Sequence, residues 1–196
     1  MKSLLLLPAL LVAASMPVSA PVVTGQPLGE HDWLVDPGHS SVVFKVKHAN
    51  ASWFFGTFDK IEGKVTIDPD SPASGSVELT IPVDSVDTNS KRRDGHLKSG
   101  DFFSAKENPD ITFRSTKIVK VGDDLSVTGE LAMAGKKQTI TMSVEEVGDS
   151  VARDKRRGYL ATFTIKRSEF GMTYGNAKVL GDEITLMIAL ELTQPK

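Results

Sequence analysis

The feature that most constrains this chain is an apolar period of two that begins at Trp33 and recurs almost to the last residue. Val42, Phe44 and Val46 alternate with Val43, Lys45 and Lys47. Val77, Leu79, Ile81 and Val83 alternate with Glu78, Thr80 and Pro82. Similar rows run through Ile111, Phe113 and Ser115; Leu125, Val127, Gly129, Leu131 and Met133; and Ile140, Met142 and Val144. Two more are Ala161, Phe163 and Ile165, and Ile184, Leu186, Ile188 and Leu190. Successive side chains of a strand point to opposite faces, so each row marks a strand with one face buried. The helical period is nearly absent. Turn residues such as Gly122-Asp123-Asp124 and Gly135-Lys136 separate the rows and suit antiparallel neighbours. The pattern predicts about eight strands, at 34–48, 57–68, 75–87, 110–121, 124–134, 137–147, 156–168 and 182–193. The expected fold is all-β and antiparallel. A closed barrel leaves no free edges, and a sandwich is the other arrangement open to such strands.

One stretch, 89–108, has no alternation. Asn89 or Ser90 suits the cap of a short helix through Arg93 and Leu97, with Gly95 and Gly100 limiting its length. A long connection in a compact domain is often functional.

The ends and the composition bound the rest. Of 196 residues, the first twenty read as a secretory signal: Lys2, an apolar run from Leu4 to Ala14, and small residues at Val18-Ser19-Ala20. Pro21 would hinder cleavage after Ala20, which keeps a cut near Ala14 or Ser15 open, and an uncleaved anchor is the alternative. Residues 21–31, with Pro21, Gly25, Pro27 and Gly29, read as a flexible lead-in to a single domain at 32–194. With 23 basic and 25 acidic residues, the net charge of −2 gives no basic excess for nucleic acid. The absence of cysteine removes disulfides, thiolate metal sites and thiol catalysis.

An eight-stranded barrel stands where side chains either fill the interior or leave room for one small ligand. The inward rows here are mostly medium-sized, which admits a tunnel for a hydrocarbon chain. A plain apolar core has the same pattern.

Five local patterns, in order, carry a family resemblance: Trp33-Leu34-Val35-Asp36-Pro37-Gly38-His39-Ser40 with Val43-Phe44 and His48; Gly56-Thr57-Phe58 with Gly63; Arg93-Asp94-Gly95-His96-Leu97 leading to Asp101-Phe102-Phe103 and Pro109-Asp110-Ile111-Thr112-Phe113; Gly129-Glu130-Leu131 with Gly135 and Thr139; and Ile165-Lys166-Arg167-Ser168-Glu169-Phe170-Gly171. Together they resemble the YceI-like family of exported, lipocalin-like proteins. The resemblance implies a lipocalin-like barrel that binds a polyisoprenoid or another long amphiphile, such as a quinone-like lipid, in its lumen. It also implies a periplasmic location and a homodimer, with no required cofactor. Gly95 and Asn108 depart from the family's pattern at the long connection.

On this reading the tail would lie against Val42, Phe44, Val46, Leu79, Ile81, Phe102, Phe103, Phe113, Leu131, Met142, Phe163, Leu186 and Ile188. Phe102 and Phe103 suit an end plug as well as a ligand contact. The head would meet Arg93, Asp94 and His96, with His39, His48 and Arg167 as further candidates. A guanidinium can grip two oxygens of a diphosphate, which suits Arg93. Each has a structural alternative: Arg93, Asp94 and His96 as a network tying the connection down, His39 as part of a turn after Pro37. Arg167, inward on strict alternation, needs a diphosphate or a carboxylate partner. The histidines show no paired metal-ligand spacing, and no nucleophile elbow or phosphate loop is present. The reading is a non-enzymatic carrier. Its rival is an enzyme acting on an isoprenoid quinone, which needs a histidine held by a carboxylate beside the cavity.

Overall fold

The computed structural model describes residues 28–68, 70–150, 155–176 and 178–194. The expected signal segment, 1–20, and most of the lead-in lie outside these. Of the lead-in, residues 28–31 are tied to the barrel: the Ile67 amide donates to the His31 carbonyl at 3.0 Å.

Eleven strands form one sheet: β1 (Asp32–Val35), β2 (Ser41–His48), β3 (Ser52–Phe58), β4 (Glu62–Thr66), β5 (Ser76–Pro82), β6 (Val86–Asp87), β7 (Asp110–Val121), β8 (Asp124–Met133), β9 (Lys136–Ser150), β10 (Arg156–Lys166) and β11 (Leu180–Thr193). All pairings are antiparallel, and β1 closes on β11. The short strands are halves of bent ones. β1 and β2 both pair with β11, and β3 and β4 continue each other around a break at 59–61. Counted this way, eight strands run up and down in chain order and close into a barrel.

The expected strand at 34–48 is thus interrupted at 36–40. Pro37 has no amide to give the ladder. The Asp36 carboxylate instead accepts from the Gly38 amide at 2.9 Å, and the Ser40 hydroxyl accepts from the Glu191 amide at 3.0 Å. Residues 52–56 are strand although no row marked them. The β8–β9 hairpin turns on Ala134 and Gly135, both at positive φ (50° and 74°), the backbone of a two-residue primed turn. In β7 the pairing slips between Ser115 and Lys117. That bulge turns Ile118 inward after Phe113, and the Ser115 hydroxyl accepts from the Val77 amide at 2.8 Å.

The long connection carries one helix, α1 (Lys91–Leu97), with Ser90 at its N-cap position but no side-chain cap bond. The connection folds back over one end of the barrel. Inside, Trp33, Val65, Leu79, Phe113, Leu131, Tyr159 and Ile188 belong to one continuous apolar core.

Candidate functional site

The two ends of the cylinder are built differently. Toward the end formed by β1, β4 and the first residues of β10 lies a cavity of about 70 Å³. Every lining residue is apolar except Tyr159. Seven residues expected to touch a tail line it: Leu79, Ile81, Phe113, Leu131, Met142, Phe163 and Ile188. Val65, Ile67, Val77, Ile111, Ile118, Leu125, Val127, Val144, Tyr159, Ala161 and Leu190 complete the wall. Gly129 makes room for the Phe113 ring, since a methyl group there would sit 2.5 Å from it.

The other six expected tail residues lie outside the wall of this cavity. Val42, Val46 and Phe103 are buried in the solid core, and Phe44, Phe102 and Leu186 pack against it. Phe103 meets Phe58 edge-on at 5.8 Å between ring centres, and Phe58 meets Phe44 at the same distance. Phe170 and Val83 are almost wholly enclosed nearby. This end is a plug.

The expected head-binding residues cluster around the plug or on the outer wall. Arg93 stacks on Phe54 at 4.3 Å and donates to the Thr88 hydroxyl and carbonyl at 2.8 and 2.6 Å. Asp94 accepts from the Thr88 amide and hydroxyl at 2.9 and 2.5 Å. Thr88 is therefore the hub of a structural network. His96 is held by Asp101 at 2.8 Å and lies edge-on to Phe102 and Tyr174. A histidine–carboxylate pair thus exists, but it is not in the cavity wall. His48 is exposed at the end of β2. His39, with its side chain 61% exposed, lies on the outer wall 3.0 Å from Asp36 and 3.7 Å from Glu191. The His39 hydrogen bond, working against burial, holds the Asp36 carboxyl below its ordinary range. Arg156 pairs with both carboxylates and supplies the positive charge that this cluster needs.

Arg167 departs most from expectation. It is 5% exposed, and no carboxylate among the described residues pairs with it. Its guanidinium donates to five backbone carbonyls: Met172 (2.7 Å), Tyr174 (2.8 Å), Gly181 (3.0 Å), Leu180 (3.2 Å) and Gly175 (3.3 Å). A guanidinium has five N–H donors. Arg167 is the clamp of the 172–181 loop, not a free cation.

A cation at the opposite end of β10 is Arg157. It is two residues before Tyr159 on the inward row of β10, and its guanidinium lies 4.7 Å from the centre of the buried Trp33 ring. Its side chain is 17% exposed, and its carboxylate partner Asp149 is 3.5 Å away. Burial pushes the Tyr159 phenol up, opposed by the Arg157 charge beside it. Extending the Ala161–Phe163–Ile165 row two steps toward the N-terminus of the strand reaches both residues, a signal that the sequence reading left unused.

The chain matches the model of the YceI-like domain over residues 33–192. It is 37% identical over 160 residues to Protein YceI of Escherichia coli, covering 81% of this chain and 83% of that one. Among solved structures, it resembles BcnA of Burkholderia cenocepacia with a TM-score of 0.74 and 30% identity, over 80% of this chain and 98% of that one. A polyisoprenoid binding domain from Saccharophagus degradans shares the fold, with a TM-score of 0.65 at 18% identity, over 83% of this chain and 98% of that one. By sequence and by fold, this closed eight-stranded cylinder belongs to the YceI-like family.

Proposed function

We propose that the protein is a periplasmic carrier that binds a long-chain amphiphilic lipid of the polyisoprenoid type, with the tail in the barrel lumen. The observation that carries this reading is the lumen itself, whose wall is methyl, methylene and aromatic carbon apart from one phenol. A hydrocarbon there gains roughly 0.8 kcal/mol for each CH₂ taken from water. The fold shared with a domain named for polyisoprenoid binding supports the same class of ligand.

The free space, about 70 Å³, is far smaller than a tail of many CH₂ groups. A long tail therefore enters by displacing side chains. Met142 is unbranched and adaptable, and Leu131 and Phe163 border the same space. Binding is then coupled to widening of the barrel.

Organic extraction of the purified protein and mass spectrometry test this reading. One long-chain lipid per chain is expected, and Ala161→Phe, which fills the bore, should remove it. A wild-type protein that carries no lipid and takes up none from a mixed prenol and fatty-acyl library overturns the carrier.

A further inference from the structure

We infer that Arg157, with the Tyr159 hydroxyl and the Trp33 ring, forms the seat for an acidic head, carboxylate or phosphate, on the long-chain ligand. The inference rests on the lumen reading above and adds which end of the bore takes the head and what charge the head carries.

Three observations converge. The first is position. Arg157, Tyr159, Ala161 and Phe163 follow one another on the inward face of β10, and the last three line the cavity. At about 3.3 Å per residue, the row from Arg157 to Phe163 spans roughly 20 Å. A head at Arg157 would send its tail past the Tyr159 ring and over Ala161, the smallest side chain of the row, toward the plug.

The second is unspent charge. Arg167, at the other end of the same strand, has its guanidinium committed to five carbonyls. Arg157 is largely enclosed and hydrogen-bonds the Tyr159 hydroxyl, and its carboxylate partner stands at 3.5 Å and is itself 58% exposed. An enclosed guanidinium whose counterion is solvated has room for a second, shorter contact to an anion, and its planar fork can take two oxygens together.

The third is the shape of the seat. The guanidinium lies over the Trp33 ring, 4.7 Å from its centre, so the indole holds the cation in place beside the bore. The Tyr159 phenol, in contact with Arg157, adds one O–H group to an otherwise apolar wall.

The test compares ligands that differ only in the head: palmitate against hexadecanol, and farnesyl phosphate against farnesol, measured by fluorescent-lipid displacement near pH 7.5. The wild type should bind at least one acid about tenfold or more tightly than its alcohol. The pair with the larger ratio shows whether carboxylate or phosphate is preferred. Arg157→Met should bring that ratio near one while alcohol binding persists, and Arg157→Lys should keep part of it. Asp149→Asn, which removes the competing carboxylate from an exposed position, should raise the ratio. A wild type indifferent to charge, or a preference that survives Arg157→Met, overturns the acidic-head seat and leaves the lumen reading intact. Failure to bind any of the four ligands overturns the lumen reading and the seat with it.

Discussion

Two arginines at opposite ends of β10 have opposite fates. Arg167 follows the last residue of β10 and is saturated by the carbonyls of the 172–181 loop; Arg157, near the first, rests on an indole and shares one distant carboxylate. Around Arg167 the interior is solid, with Phe103, Phe58 and Phe170 filling the cylinder. Around Arg157 it thins into an apolar hollow. Residue type therefore says little about role here. A guanidinium whose donors are all matched is part of the scaffold. One that is enclosed and loosely matched is available for chemistry.

The sharpest way to break this contrast is to remove each arginine in turn. Arg167→Met strands several buried carbonyls and should cost roughly 3–5 kcal/mol in urea denaturation. Arg157→Met should cost about 1 kcal/mol or less. Equal costs would show that both arginines are scaffold. Next, Phe103→Ala should lower stability by roughly 3–4 kcal/mol, as expected for an aromatic taken from a packed plug. Ala161→Phe, which adds bulk at the hollow end, should cost about 1–2 kcal/mol, less than Phe103→Ala, while abolishing ligand uptake. A large cost at Ala161 would mean that the hollow cannot adapt.

A pH-dependent effect concerns Asp32 beside Trp33. Burial raises its pKa, but the Lys64 contact at 2.7 Å, the Thr66 hydroxyl at 2.6 Å and the Gly29 amide outweigh that and lower it to about 2. A folded-state pKa below the unfolded value contributes stability above pH 4 that is lost as pH falls toward 2. The wild type should thus lose about 1–2 kcal/mol more than Asp32→Asn between pH 4 and pH 2. Parallel acid titrations of the two would show no divergence if this carboxylate were not favoured in the fold.

Much of the barrel was legible because strand alternation is local and survives any tertiary arrangement. β7, β8 and β10 lie within two residues of expectation at each end. What escaped has physical causes. β3 begins with Trp53-Phe54-Phe55, where both faces are aromatic and no alternation shows. Trp53 and Phe55 are half exposed on the outer wall, Trp53 beneath the Lys45 ammonium at 4.8 Å, while Phe54 stacks with Arg93. The bend after β1 follows from a side-chain turn at Asp36 that a run of alternating residues does not reveal. Three of the head-binding candidates, Arg93, Asp94 and His96, come from the long connection, which breaks the pattern. That irregularity reflects a plug, whose Arg93–Thr88–Asp94 bonds are internal. Arg167 was correctly read as an inward charge in need of partners, but backbone carbonyls have no sequence signal. Arg157 lay inside a regular strand and attracted no notice for that reason.

The seam of the cylinder joins the earliest strand to the latest: Leu34 faces Thr193, and Val35 faces Leu192. A growing polypeptide therefore cannot complete the wall until β11 has emerged from the ribosome. Until then β1, β2 and β10 keep open edges prone to wrong partners. Sealing by so distant a contact makes folding slow and all-or-nothing, so loss of the last strand should leave an aggregating chain rather than a leaky container.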